Sequence, residues 1–224
     1  LLGGMMKIIS FGDVHEDTNN LIKIKSELEN ADLIIISGDL TNYHGKVEAE
    51  KVLEAIKKYN KHLLAQYGNL DQPEVNEYLT GEGINLHGNG YVFGDVGIFG
   101  CGGSSQTPFN TPSEITEMDI KKYLTDGYTK VKNAKWKIMV CHTPPKDTVI
   151  DVIRSGLHVG SSTVRDFIVQ YKPDVCISGH IHESRSKDKI GDTVVLNAGM
   201  FRDGWYIEIN IDKGSISAVL KSVV

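Results

Sequence analysis

The stretch KIISFGDVHED, residues 7–17, joins a short apolar run to a turn that is dense in polar side chains. Its first five residues are too few for a buried helix and include adjacent isoleucines, which favours a buried strand. DLIIIS at 32–37 and HLLA at 62–65 have the same character. Two longer segments between these runs, NLIKIKSELEN and GKVEAEKVLEAIKKYN, carry apolar residues at helical spacing. The chain therefore opens as strand, helix, strand, helix, strand.

The second half contains two more short apolar runs and several strand-like segments with glycine-rich turns. WKIMV at 136–140 and DVCIS at 174–178 are predicted to be central strands. GYVFG, GIFGCGG, DTVVLNAG and WYIEINI are predicted to form hairpins in a second or mixed sheet. Helices that cover sheets with both kinds of connection predict an α/β fold built as a layered sandwich.

Length and composition indicate one soluble domain. The 224 residues suffice for a single large core, and we expect the domain to comprise residues 5–224, with residues 1–4 an extraneous leader. The opening LLGGMM has no basic segment and no long apolar run of the signal-peptide kind, and no apolar run is long enough to cross a bilayer. Three cysteines without a CxxC pair are typical of a reducing compartment. We expect a cytoplasmic protein with no membrane partner.

The charge pattern argues against a nucleic-acid partner. The net charge is −5, and the lysines are scattered rather than gathered into a basic stripe. Nucleic acid is therefore a weak candidate for a partner.

Polar side chains follow each of the five predicted central strands. They are Asp13 and His15, Asp39, Asn69, His142, and His180 and His182. Open α/β sheets bind their ligands at the carboxyl ends of strands, and imidazole, carboxylate and amide groups together suit Mn²⁺, Fe²⁺, Zn²⁺ or Co²⁺. The set would serve two ions that share one carboxylate. Any one of these residues, taken singly, is more typical of a turn or a helix cap.

Two of these pairs are separated by a single residue. Asp13 and His15 are one such pair, and His180 and His182 are the other. Residues two apart on an extended segment point to the same side, so each pair is predicted to bind one ion.

The order D-x-H, G-D, G-N-x-D, H, G-H-x-H, from residue 12 to residue 182, resembles the calcineurin-like metallophosphoesterase family. The resemblance implies a four-layer αββα sandwich, with two mixed β-sheets flanked by helices. It also implies that one metal is held by Asp13, His15 and His182 and the other by Asn69, His142 and His180, with Asp39 as the bridge.

The same resemblance implies a dinuclear metal-dependent phosphoesterase. A hydroxide that bridges two divalent ions, with Mn favoured, would attack phosphorus in line. The catalytic residues would then include Asp39, Asn69 and His142. The expected substrate is a small phosphate ester.

Leu70 occupies a position where many relatives have a histidine that resembles a general acid for the leaving group. General acid catalysis typically contributes about 10²–10⁴-fold, so its loss should slow esters with poor leaving groups. This departure resembles small bacterial and archaeal members of the family, and it favours a phosphodiesterase over a monoesterase. His44 or His158 could replace the missing acid, and we favour His158 as the catalytic candidate.

Several alternatives stay open at this stage. A binding scaffold resembling the retromer subunit, or a nuclease, are other functions, and the last strand could complete its own sheet or pair across a homo-oligomer edge. Asp71, just before Pro73, is predicted to mark a helix start, and His87 a surface turn. Arg185 and Arg202 are weaker candidates for a phosphate clamp. The loop GCGGSSQTP at 100–108 is predicted to be a mobile loop near the site.

Overall fold

The computed structural model describes residues 5–223, so the predicted leader, residues 1–4, lies outside the described residues. The first sheet has the strand order β11-β10-β1-β2-β3. Its strands are β1 (Met6–Phe11), β2 (Leu33–Ile36), β3 (Leu63–Ala65), β10 (Trp205–Ile211) and β11 (Ile216–Ser222). Parallel pairing joins β1 to β2 and β2 to β3, whereas β10 and β11 add antiparallel neighbours. The terminal strand therefore completes its own sheet.

The second sheet has the order β4-β5-β6-β7-β9-β8. Its strands are β4 (Asn89–Phe93), β5 (Val96–Cys101), β6 (Trp136–Cys141), β7 (Val175–Ser178), β8 (Ser186–Ile190) and β9 (Thr193–Asn197). The four strands β5, β6, β7 and β9 run parallel, and hairpins add β4 and β8 at the two edges. Both sheets are therefore mixed.

Helices cover the outer face of each sheet. They are α1 (Lys25–Glu29), α2 (Lys46–Lys57), α3 (Pro73–Gly81), α4 (Glu117–Val131) and α5 (Ser162–Tyr171). The first three pack on the first sheet, and α4 and α5 pack on the second. Within residues 5–223, no helix combines the length and the apolar character needed to cross a membrane.

Strand β2 shows how the sequence produces these layers. All four of its residues are buried, and successive side chains point to opposite faces. Ile34 and Ile36 pack toward the helices, while Leu33 and Ile35 join the core between the two sheets. A strand that is apolar on both faces requires cover on both, which yields the predicted αββα sandwich.

The first helical segment is shorter than its sequence pattern predicts. Residues Asn19–Ile24 form a 3₁₀ turn, and only Lys25–Glu29 are α-helical. The Asn20 side chain donates hydrogen bonds to the carbonyls of Phe201 and Arg202 at 2.9 and 2.8 Å. These bonds to the segment before β10 hold the turn in place, and such long-range contacts cannot be read from helical spacing.

Candidate metal centre

The five strands that precede the predicted ligands are β1, β2 and β3 of one sheet and β6 and β7 of the other. They run parallel within each sheet, with Phe11 opposite Ile36 and Val140 opposite Ile177. The carboxyl ends of these strands therefore lie on the same side of each sheet. Hydrogen bonds such as the one from His180 N–H to Asp13 Oδ1, at 3.0 Å, join the loops that follow the strands of the two sheets.

One group of ligand atoms comes from Asp13, His15, Asp39 and His182. One atom from each side chain lies within 4.8 Å of the others, and together they form a group that could hold a metal ion. The Nε2 atom of His182 is 3.0 Å from Asp13 Oδ1 and 3.2 Å from Nε2 of His15.

The orientation of the His15 ring places one of its nitrogens within this group. Its Nδ1 lies 3.2 Å from the carbonyl oxygen of Thr41, which can only accept a hydrogen bond. Nδ1 therefore carries the proton, and the Nε2 lone pair faces His182 and the carboxylates. The Nε2 atoms of His15 and His182 and the carboxylates thus converge on a position that a cation would stabilise.

A second group joins Asn69, His142 and His180. The amide oxygen Asn69 Oδ1 is 2.7 Å from Nδ1 of His180 and 3.2 Å from Nε2 of His142. His142 Nδ1 donates to the carbonyl of Ser37 at 3.0 Å, so Nε2 is the ring nitrogen that faces the Asn69 and Asp39 oxygens and that a proton or a metal ion would occupy. Asp39 Oδ2 lies 3.3 Å from the same Nε2, which places Asp39 between the two groups.

The electrostatics of His142 also favour a cation at this point. Burial lowers the pKa of this imidazole, but the carboxylates of Asp39 and Asp13 outweigh burial and raise the pKa to about 9. The pocket thus stabilises positive charge in spite of its burial.

The histidine pair two residues apart does not act as one unit. His182 begins a 3₁₀ turn and faces Asp13, whereas His180 has φ 68° and faces Asn69. The expectation of an extended segment is wrong for both spaced pairs, since Asp13, His15 and His180 all have positive φ. Asp13 and His15 nevertheless face the same group, whereas His180 and His182 face different ones.

The ligand loops adopt a backbone conformation that side chains rarely take. Asp13, His15, Asp39 and His180 all have φ between 46° and 68°. For residues other than glycine, this left-handed region costs roughly 1–2 kcal/mol each. It also turns the chain sharply, and several polar side chains consequently converge on one centre.

Two glycines leave space for these turns. A Cβ atom at Gly38 would overlap the His142 ring, and one at Gly68 would overlap both the carboxylate and the backbone nitrogen of Asp39. The G-D and G-N dipeptides therefore carry glycine for steric reasons.

Asn69 is oriented by a loop that sequence reasoning missed. Its Nδ2 donates to Thr111 Oγ1 at 3.0 Å, and Thr111 Oγ1 donates to Glu114 Oε1 at 2.8 Å. Burial raises the pKa of Glu114, but hydrogen bonds from Thr107 and Thr111 outweigh it and lower the pKa to about 2. Glu114 is thus an ionised acceptor that fixes the Thr111 hydroxyl. That hydroxyl in turn keeps Asn69 Oδ1 facing the histidines.

A helix begins just after Asp71, as the sequence predicts, but the Asp71 side chain does not cap it. The residue that precedes α3 is Gln72, and Asp71 is fully buried. It accepts hydrogen bonds from the backbone N–H groups of Leu40, Thr41 and Gly68 at 3.1, 2.7 and 2.8 Å. Burial, followed by the Asp39 carboxylate, raises the pKa of Asp71 to about 7. Asp71 therefore ties the Asp39 loop to the Asn69 loop.

A cavity of about 730 Å³ opens directly onto these ligands. Asp39, Asn69, His180 and His182 lie in its wall, and Leu70 lies beside them. The Leu70 backbone N–H donates to Asp39 Oδ1 at 2.8 Å. The loop predicted to lie near the site does so, because Ser105, Gln106, Thr107 and Pro108 line the cavity.

The two histidines considered as substitute acids lie elsewhere. His158 Nδ1 pairs with Asp151 Oδ1 at 2.7 Å, and His44 Nδ1 pairs with Glu16 Oε1 at 2.6 Å. Neither is among the residues that line the cavity in the part of the chain the structure describes. The structure therefore does not bring His158 to the centre, because the buried Asp151 carboxylate holds it.

Two other sequence expectations differ in detail. His87 is packed between the rings of Tyr67 and Tyr123, at centroid distances of 4.9 and 3.9 Å, rather than exposed in a turn. Arg185 lies 4.6 Å from the centroid of the Trp205 ring and 3.7 Å from Asp203. It is held away from the cavity wall.

Fold and site together define a metal-dependent phosphoesterase architecture. The sequence matches the calcineurin-like phosphoesterase family over residues 6–184, and the chain belongs to that family.

Three individual proteins are similar to this chain in sequence or in fold. The protein MJ1162 of Methanocaldococcus jannaschii is 34% identical over 196 residues, which cover 86% of this chain and 87% of that protein. TT1561 of Thermus thermophilus has the same fold with a TM-score of 0.74 and 17% identity, covering 99% of this chain and 100% of that one. A dimetal phosphatase from Danio rerio has a TM-score of 0.65 at 8% identity, covering 98% and 96%.

Proposed function

We propose that this protein is a phosphodiesterase that hydrolyses a small phosphodiester with two divalent metal ions, Mn²⁺ favoured. The observation that carries the proposal is the convergence of imidazole nitrogens and carboxylates on one buried centre. One ion would be held by Asp13, His15 and His182 and the other by Asn69, His142 and His180, with Asp39 shared. Such ions supply Lewis acidity and lower the pKa of bound water.

The chain's own residues prepare the site for that chemistry. Backbone carbonyls of Thr41 and Ser37 fix the tautomers of His15 and His142, so that both present Nε2 to the centre. The buried Asp71 carboxylate holds the two ligand loops in register. The positions of the ligands are thus set before substrate binds, which lowers the cost of reorganisation.

A diester preference is supported by the cavity wall around Leu70. Leu70 cannot donate a proton to a departing alkoxide, so good leaving groups are favoured. A phosphate diester carries one negative charge and a second organic group, whereas a monoester carries up to two charges. Arg154 is the one Lys or Arg among the described residues that line the cavity, and the volume leaves room for a second organic group.

The alternatives have less support. A binding scaffold would not need lone pairs directed at a common centre, and a nuclease would need more cationic side chains than Arg154 in the cavity wall. A cytoplasmic location and a homo-oligomeric state stay predictions from the sequence.

The test compares the hydrolysis of bis-p-nitrophenyl phosphate and p-nitrophenyl phosphate after Mn²⁺ loading, with metal content counted by mass spectrometry. We expect two metal ions per chain and faster cleavage of the diester. Asp39→Asn should lose the activity, since it removes the shared carboxylate.

Asp126→Asn is the matched control, because Asp126 pairs with Lys122 on exposed α4, away from the ligands. Faster cleavage of the monoester, or full activity with a single ion per chain, would contradict the proposal.

A further inference from the structure

Two large aromatic side chains stand exposed on the wall of the cavity. Phe109 is 77% exposed and Tyr43 is 50% exposed, and both line the cavity that opens onto the metal ligands. Neither ring is paired with another aromatic ring within residues 5–223. Full burial of such a side chain covers about 150–250 Å². A ligand that covers both rings would therefore gain a large apolar contact.

Both rings come from loops that are fixed to the Asn69 segment. The Tyr43 N–H donates to the carbonyl of Leu70 at 3.1 Å, and the Ser113 N–H donates to the carbonyl of Asn69 at 3.0 Å. The loop that carries Phe109 is braced further, because the Phe109 N–H donates to Thr107 Oγ1 at 3.1 Å. The backbones that carry the two rings are thus positioned by the same segment that supplies a metal ligand.

The remaining wall indicates what kind of group the rings would contact. Leu70, Pro108, Ile153 and Val159 add apolar surface, and Ser105, Gln106 and Ser155 add neutral hydrogen-bonding groups. The two charged side chains at this part of the wall, Arg154 and Glu183, have opposite signs. The cavity volume of about 730 Å³ is within the range that holds a small organic molecule. The wall therefore suits an uncharged group that is largely apolar and has a few polar edge atoms.

We propose that this cavity binds an aromatic ring system carried by the phosphate ester, with Phe109 and Tyr43 as its principal contacts. The inference rests on the proposed function, whose substrate class it narrows from small phosphodiesters to those with an aryl or nucleobase-like group. Offset or edge-to-face contacts between rings contribute about 0.5–1.5 kcal/mol beyond the area they bury. An aromatic group is thus preferred over an aliphatic group of equal size.

The test measures equilibrium binding, so that it does not depend on turnover. Calorimetry on the Mn²⁺-loaded full chain compares phenylphosphonate, cyclohexylphosphonate and methylphosphonate, none of which can be hydrolysed. We expect phenylphosphonate to bind tightest and methylphosphonate weakest. Phe109→Ala should weaken phenylphosphonate binding roughly tenfold. Phe109→Leu should reduce the preference for phenylphosphonate over cyclohexylphosphonate without abolishing it, because it keeps apolar bulk and removes one of the two rings.

Met118→Ala is the matched control. Met118 is 78% exposed, close to Phe109 in exposure, but it lies at the start of α4 outside the cavity wall. The Met118→Ala variant should bind all three phosphonates with the affinities of the unaltered protein. Equal affinity for phenyl and methyl groups would overturn the inference, and equal affinity for phenyl and cyclohexyl groups would overturn its aromatic part.

The two proposals fail in different ways. Hydrolysis of diesters without any preference for the phenyl group would refute the aromatic site and leave the phosphodiesterase standing. Phenyl-selective binding without hydrolysis of any ester would refute the phosphodiesterase and leave the aromatic site.

Discussion

Thr111 should control the affinity of the second proposed metal ion, the one assigned to Asn69, His142 and His180, without touching it. In Thr111→Val the shape of the side chain is kept, but the hydroxyl that accepts from Asn69 Nδ2 at 3.0 Å is lost. The Asn69 amide can then rotate by half a turn and present its NH₂ group to His142 and His180. Because an NH₂ group cannot bind a cation, that orientation removes one ligand from the second ion.

The size of the expected loss in Mn²⁺ affinity follows from the buried hydrogen bond between Asn69 and Thr111. Thr111 is 9% exposed and Asn69 is 4% exposed, so the bond is shielded from water. A buried donor without a partner costs about 1–3 kcal/mol, and this cost is what holds Asn69 Oδ1 toward the histidines. Partners behind the ligands of a metal site typically contribute 10–100-fold in affinity. We expect the second Mn²⁺ to bind about tenfold more weakly in Thr111→Val.

Calorimetric titration of the metal-free protein with Mn²⁺ resolves this effect. The affinity for the first proposed ion should change little, since within residues 5–223 no hydrogen bond joins Thr111 to Asp13, His15 or His182. Thr107→Val is the matched control, because Thr107 also donates to Glu114 but has no bond to Asn69. If Thr111→Val binds both ions as tightly as the unaltered protein, the reasoning about the Asn69 amide is wrong.

Three further predictions concern the pH dependence of stability, the leaving group of the substrate and the space beside Gly68. Burial, and then the charge of Lys122, lower the pKa of His87 to about 4, so its neutral form stabilises the fold above about pH 6.5. That contribution, roughly 3 kcal/mol, is lost as the pH falls toward 4. Urea unfolding of the metal-free protein measures this effect. Between pH 6.5 and 4 the free energy of unfolding should fall less steeply in His87→Asn than in the unaltered protein, and an equal fall in both proteins would contradict the prediction. Leu70→His should accelerate diesters with poor leaving groups by up to about 10²-fold and barely change p-nitrophenyl esters. Equal acceleration of both classes would show that the histidine does not act on the leaving group. Gly68→Ala should abolish Mn²⁺ binding because its methyl group overlaps Asp39, whereas Gly81→Ala, whose methyl group meets no atom within 4 Å, should bind normally.

The side chains of the proposed ligand set could be predicted from the sequence for a simple topological reason. Asp13, Asp39 and His142 each follow a short apolar strand, and the parallel strands of each sheet end at a common edge. The pattern therefore predicts which side chains meet, and the structure brings all seven of them together. Layering was predictable on similar grounds, because strands such as β2 are apolar on both faces.

The residues that orient the ligands were not predictable in this way. Asp71 bonds to backbone groups some 30 positions earlier, and Thr111 lies 42 positions beyond Asn69. Contacts between loops so far apart have no periodic signature in the chain. His87 was misjudged for a related reason, since the two tyrosine rings that bury it come from distant segments.

The left-handed residues of the ligand loops have an evolutionary consequence. Asp13, His15, Asp39 and His180 hold a conformation that glycine reaches without strain and that asparagine tolerates better than most residues. Substitutions that delete a ligand there can therefore relax the backbone and make the fold more stable, in the usual opposition between stability and activity. A lineage in which metal binding was no longer selected could accumulate such substitutions. Its free energy of unfolding would increase, the fold would be kept and the activity would be lost. Loss of the ligands in these loops is therefore favoured by stability. Regaining them would require substitutions that restore the backbone strain and lower the free energy of unfolding.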